Sequence, residues 1–456
     1  AVLGGGPAGL MAAWRAALGG HRVVVLERGT GPGGMAASFE LGGIRVDHGS
    51  HRLHPTTDPV ILAELSRLLG GSLQWRRRNG RLRLDGRWVA FPLRTGDLVR
   101  TLSPGFAVPA GLDALTARWR RPGEDTFAEV VRADLGPTML ERFYGPYARK
   151  LWGVDADRLS GEQARRRVNH RSPGSLARRV LRPGQAGFWY PAAGFGAIVE
   201  AVASAGVAAG ADLRYGAQVS GVQHHDDGGW RVELAGGEAL DARHVWSTLP
   251  LTVLAQLVRP PPDRSVTAAA SSLTFRSLAL VYLSLSLPRT RWTPFDAHYL
   301  PGPETPVSRV SEPRNYRAGA DDPAGRTVLC AEVPCTVGDE LWSAPDADLA
   351  ARVAVSLEGC GLPAIRPVEV AVRRIPTAYP VYATGWEAAF AAVDRWAGSL
   401  PGLVTLGRGG LFAHDNTHHA LAMGWAAADA LRPDGSWDGR AWTAARARFR
   451  DHVVED

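Results

Sequence analysis

Three sets of residues have the types and spacing to do chemistry. Near the start, Gly4, Gly6 and Gly9 fit the pattern G-x-G-x-x-G, and Glu27 follows 18 residues after Gly9. In this pattern the first glycine permits a tight turn and the second lets a pyrophosphate approach the backbone. The third lets a helix pack on its strand, and the acid holds ribose hydroxyls. The set predicts a dinucleotide site, and an acid at position 27 fits NAD or FAD rather than NADP. The second set is His48, His51 and His54, spaced every three residues. Imidazoles titrate near neutrality and can move protons or bind metal. Gly49, Ser50 and Pro55 argue against a helix there and no neighbouring acid completes a shell, so no metal centre is expected. These histidines could equally brace a loop. The third set lies in the second half. Tyr379 and Tyr382 flank Pro380, and Arg276, Arg309, Glu312 and Asn315 are candidates to face a substrate cavity. Arg276 would suit a phosphate or carboxylate. Core packing of the tyrosines and surface pairing of the others are the alternatives.

Recognisable elements must position these groups. A short buried strand ends at Leu3; Pro7 is tolerated at a helix start, and the helix runs from Ala8 to Leu18 and stops at Gly19-Gly20. The buried strand VVVLE carries Glu27, and a second glycine-rich turn, GPGGMAASF, spans 31–39. RRRNGRLRLDGR (76–87) reads as a hairpin about Asn79-Gly80 with a solvated basic face. The run LTFRSLALVYLSLSL (273–287) begins an antiparallel sheet, and 403–431 reads strand, loop, helix, with Asn416 as N-cap. The expected fold class is α/β with an α+β second domain. A Rossmann-like domain is built from 1–70, 191–262 and 396–456. It is interleaved with a substrate domain whose helical part is 71–190 and whose antiparallel sheet is 263–395.

The chain has 456 residues, ordinary apolar and charged fractions and a net charge of +7. Lys150 is its only lysine, so the cationic side is arginine, which grips anions bidentately. Codon bias is the simplest reading of this usage; the alternative is an anionic or nucleotide-linked small-molecule substrate, and nucleic-acid binding is not expected. No apolar run is long enough to span a bilayer. Cys330, Cys335 and Cys360 have no metal or redox spacing and suit a reduced cytoplasm. The arginine-rich composition points loosely to secondary metabolism.

GPGGMAASF (31–39), FELGGIRVDHGSHRLHP (39–55) and LVTLGRGGLFAHDNTHHALAMGWAAADAL (403–431) carry a resemblance to a known superfamily. The chain resembles the FAD-binding superfamily of monoamine oxidases, protoporphyrinogen oxidases, phytoene-type desaturases and UDP-galactopyranose mutases. That resemblance implies FAD cradled by two glycine loops. Gly4, Gly6, Pro7, Ala8, Gly9, Glu27 and Arg28 would form the adenosine end, and Gly33, Gly34, Met35 and Ala36 would follow the pyrophosphate and ribityl chain. Val219 would meet adenine through its backbone. Gly49, Ser50, His51, Gly407, Arg408, Asn416, Thr417, His418 and His419 would surround the flavin, with the closing helix aimed at its N1–O2 edge. His51 or His54 would act on flavin or substrate, and Tyr379 would border the pocket. With no cysteine near the closing motif, the FAD is expected to be non-covalent. The implied activity is oxidation of a small metabolite by hydride transfer to flavin N5. The alternative is a redox-neutral sugar-nucleotide mutase that uses reduced FAD, favoured by G-x-H-x-x-H, Gly407-Arg408 and FRSL.

Overall fold

The computed structural model describes residues 1–456 except 121–122, 124, 168–186, 226–227, 289–290, 318–321 and 455–456. Residues 168–186 of the segment expected to be helical therefore lie outside the described residues.

Strand Val2–Leu3 is the centre of a five-stranded sheet, parallel throughout. Val24–Glu27 and then Asp212–Tyr215 lie on one side; Val245–Ser247 and Leu403–Thr405 lie on the other. A parallel sheet buries both faces, which explains why its inner strands are short apolar runs; the edge strand Asp212–Tyr215 alternates polar and apolar residues. The opening helix, Pro7–Leu18, packs against the closing helix, Thr417–Asp429, and against Gly196–Ala208. Residues from the two ends of the chain thus share one core, in which Val2, Ala12, Val404, Met423 and Ala427 meet.

The second sheet has seven strands and is mainly antiparallel. Phe275–Ser286 lies between Pro367–Pro380 and Arg326–Cys335, with Arg276 opposite Tyr379. Glu332 of the last strand stands opposite Arg309 of Arg309–Ser311. The hairpin within 76–87 is not turned at Asn79-Gly80, as the sequence pattern suggests. Gly80–Leu84 pairs with Arg87–Phe91 about Asp85 and Gly86, whose φ angles are 52° and 72°. The strand before Asn79, Leu73–Arg77, instead pairs with Gly187–Pro191 in a separate ribbon. Two adjacent turn pairs competed, and Asp85-Gly86 has both central residues in the left-handed conformation that a two-residue hairpin needs. Of the remaining helical segments, Gly145–Trp152 meets Arg326–Cys335, Pro104–Thr116 packs Phe106 against Leu82, Leu84 and Val89, and Phe127–Leu135 packs on neighbouring helices.

Candidate functional site

The two glycine loops touch. Gly33 N–H donates to Gly5 O at 2.7 Å, and a Cβ added at Gly34 would lie 3.5 Å from Gly6 Cα. Each glycine has its own reason. Gly4 has φ +103°, and Gly33 φ +116°. A Cβ at Gly9 would lie 2.1 Å from Gly4 O, so the opening helix can sit this close to its loop only without a side chain there. A Cβ at Gly6 or Gly31 would meet nothing within 4 Å. These two backbones thus border open space of the kind a pyrophosphate fills. Pro7 starts the helix, and Ala8 is buried against Gly407, whose added Cβ would be 3.2 Å from Ala8 Cβ. Glu27 closes the same corner: its carboxylate accepts from Gly5 N–H and Gly29 N–H, both at 2.7 Å. Arg28 is exposed beside it, and Val219 begins the strand two residues after Ala217, whose N–H donates to Glu27 O.

Beyond the loops a single cleft collects residues distant in sequence. Met35, Gly49, Ser50, His51, His54, Tyr379, Arg408, Asn416 and Thr417 all line it. Ala36, beside Met35, is buried in the core below. Ser50 Oγ is buried there without a hydrogen-bond partner among the described residues. An unsatisfied buried hydroxyl costs free energy, so this atom is suited to a bound polar ligand. The arginines are the larger feature: Arg52, Arg78, Arg167, Arg309 and Arg408 line the cleft, and Glu332 is the single carboxylate among the lining residues. Glu332 grips Arg309 bidentately at 2.7–3.0 Å and accepts from Ser50 N–H at 3.1 Å. Tyr379 lies between two guanidinium groups, Arg167 at 5.4 Å and Arg408 at 5.8 Å from its ring centroid. Its burial pushes the phenol pKa up, so it stays a neutral hydrogen-bonding group.

The histidine loop is not helical, and its rings have separate partners. His48 Nδ1 meets Gly34 O at 3.0 Å. His51 Nε2 donates to His48 O at 2.9 Å, and its ring stacks on Phe195. Burial lowers the His51 pKa, so the ring is neutral and its Nδ1 carries the lone pair. His54 has the opposite tautomer: Thr56 N–H donates to His54 Nδ1 at 3.2 Å, which leaves the hydrogen on Nε2.

The closing helix begins as expected. Asn416 is its N-cap and forms a reciprocal box with His419, whose Nδ1 accepts from Asn416 N–H at 3.2 Å. Thr417 and Asn416 face the cleft, but His418 and His419 do not line it. His418 stacks on His54 and His419 on His452, with ring centroids 5.3 and 3.9 Å apart. Burial and the neighbouring imidazoles push His418 down to about 2. Asp415 Oδ1 lies 3.3 Å from His419 Nδ1 and 2.8 Å from His452 Nδ1. These three residues form the one group of metal-type ligands that converges among the described residues. It is a different set from His48, His51 and His54. The His419 and His452 rings lie nearly parallel, at 10°.

Several candidates lie elsewhere. Arg276 does not line the cleft: it donates to Thr336 Oγ1, Pro334 O and Lys150 O and packs over Gly153. Asn315 donates to Thr293 O and Phe295 O, and Glu312 accepts from Trp292 and Thr293 N–H, so both brace the sheet. Tyr382 donates to Phe412 O and stacks on Trp386 in the core. Arg52, Arg78, Arg167 and Glu332 are the charged cleft residues that sequence reasoning missed. Glu332 had a signal, an isolated acid inside the apolar strand VLCAEVPC. The arginines had none among so many.

The parallel sheet, the antiparallel sheet and the paired glycine loops define a fold of the FAD-binding class. The sequence profile of the flavin containing amine oxidoreductases matches residues 7–432, and the chain belongs to that family. It is accordingly an FAD-dependent oxidoreductase by family. No curated protein sequence matches it at a significant level. Among solved structures it is similar to a reduced UDP-galactopyranose mutase, with 19% identity, 100% and 99% of the two chains covered and a TM-score of 0.82. A protein assigned as a protoporphyrinogen oxidase, from an Exiguobacterium species, has 19% identity, 99% and 98% coverage and a TM-score of 0.72. A putrescine oxidase bound to putrescine has 16% identity, 94% and 97% coverage and a TM-score of 0.65. At these identities the likeness is one of fold. Among the described residues no helix is long and apolar enough to cross a membrane.

Proposed function

We propose that the protein oxidises a small metabolite bearing a phosphate or carboxylate, bound in the arginine-lined cleft beside FAD. The observation that carries this reading is the charge of that cleft: five arginines against one carboxylate. Arginine forks bind such anions bidentately, and a cleft lined by one sign of charge concentrates them. Bound FAD supplies the hydride-accepting chemistry. Gly6, Gly31 and Gly34 would border its pyrophosphate, Glu27 its ribose, and Asn416 and Thr417 the electron-rich edge of the ring. Arg78 and Arg167 hold the anionic group, and Tyr379 walls the pocket and orients the substrate through its hydroxyl. His51, neutral with a bare Nδ1, takes the proton that leaves with the hydride, and His54 donates from Nε2. The protein acts in the cytoplasm, in secondary metabolism. The test is anaerobic mixing of the holoenzyme with phosphorylated and carboxylated amines, alcohols and cyclic metabolites. Bleaching of the flavin by one of them supports oxidation. His51→Gln should then retain FAD and lose about 100-fold in kcat.

A second reading starts from the same cleft. The same basic cleft fits the diphosphate of a sugar nucleotide, and Gly407-Arg408 stands at its edge. The reaction would then be a redox-neutral isomerisation requiring reduced FAD. Turnover of a sugar nucleotide only after dithionite reduction, with no net oxidation, selects this reading over the first.

A further inference from the structure

The helix Pro104–Thr116 is built inside out. Its sequence, PGFAVPAGLDALT, has one charge, Asp113, and that residue faces the protein. The Asp113 carboxylate accepts from Thr138 N–H at 2.9 Å and from Arg120 at 3.1 Å. Phe106 is the single side chain of the helix buried in the core. The large apolar residues point the other way. Val108 and Leu112 are each 59% exposed, Leu115 is 71% exposed, and Trp119, on the short turn that continues the helix, is 68% exposed. Their spacing of four, three and four residues puts them in one stripe along the helix. Contiguous exposed apolar surface of this kind marks a place where something docks.

Two features indicate what covers it. The stripe is one helix wide and comprises four large side chains, whereas a stable protein interface takes roughly 20–30 residues a side. Shallow burial in the acyl boundary of a bilayer needs no more than one apolar helix face. Two exposed cations, Arg94 and Arg100, lie just before the helix, whereas Arg142 is paired with Asp85 and Arg120 with Asp113. A tryptophan at the tip of the stripe suits the headgroup boundary. We propose that this helix docks the protein peripherally on an anionic phospholipid surface, with Val108, Leu112, Leu115 and Trp119 entering the outer acyl region and the exposed Arg94 and Arg100 meeting headgroup phosphates. The docking is independent of the reaction assigned to the cleft.

The test is co-sedimentation of the full-chain holoenzyme with vesicles of phosphatidylcholine alone and of phosphatidylcholine mixed with phosphatidylglycerol. The expected result is pelleting with the mixed vesicles, weakened by high salt, and little with phosphatidylcholine alone. The double variant Leu112→Glu/Leu115→Glu should bind at least about tenfold more weakly. Its FAD content and melting temperature should be unchanged, since both positions are exposed. Four results overturn the proposal: no pelleting of wild type, equal pelleting with both vesicles, equal pelleting of the variant, or a wild-type dimer that the variant converts to monomer.

Discussion

Gly424 of the closing helix presses on Ala8 of the opening helix: a Cβ at position 424 would lie 2.2 Å from Ala8 O and 2.9 Å from Ala12 N. The obstacle is backbone on both counts, so it cannot swing aside. Gly424→Ala should force the two helices apart and cost roughly 3 kcal/mol. Because Ala8 follows the first glycine loop, FAD retention should fall with stability. Thermal melting monitored by flavin fluorescence checks both, and an unchanged melting temperature would contradict this packing.

Glu27 offers one carboxylate oxygen to each of two backbone N–H groups, on Gly5 and Gly29. Glu27→Gln keeps the shape but turns an NH2 donor toward one of those donors. The expected loss is about 2 kcal/mol, together with weaker FAD binding. Titration of apoprotein with FAD measures it, and wild-type affinity in the variant would remove Glu27 from the site.

His298 is buried among Trp88, Trp292 and Phe295, and burial, with the Arg81 charge, lowers its pKa to about 4. An unfolded histidine protonates near 6.5. Between these values the unfolded chain binds the extra proton, so folding stability is lost as pH falls from 6.5 toward 4. The contribution is up to about 3 kcal/mol. Urea unfolding across this range should show a shallower pH dependence in His298→Gln than in wild type.

The Arg309–Glu332 pair is buried, with side-chain exposures of 16% and 5%. Arg309→Met leaves a buried carboxylate with Ser50 N–H as its remaining donor and should cost about 3 kcal/mol. Arg309→Met/Glu332→Met removes both charges and should be the more stable of the two variants. The reverse order, read from melting temperatures, would show that the pair is not the unit described.

The cofactor end was legible in sequence because its constraints are local. Gly4, Gly6, Gly9 and Glu27 are fixed by one turn, one helix and one strand, and Asn416 by one helix start. The cleft was less legible because it is assembled across sheets. Tyr379 lines it from a strand paired with that of Arg276, yet Arg276 turns away to Thr336, Pro334 and Lys150. Glu332 and Arg309 meet only because their strands adjoin. The hairpin at 76–87 contained two plausible turn pairs, and which one turns is decided by strand partners far away in the chain.

In the function proposed above, both ends of this chain enclose one FAD without a covalent bond. Acid precipitation of the purified protein tests it most directly. The expected result is a yellow protein whose colour passes into the supernatant as FAD, close to equimolar with the chain. Colour held in the pellet would contradict the non-covalent attachment. A colourless protein that takes up no FAD would contradict the site itself.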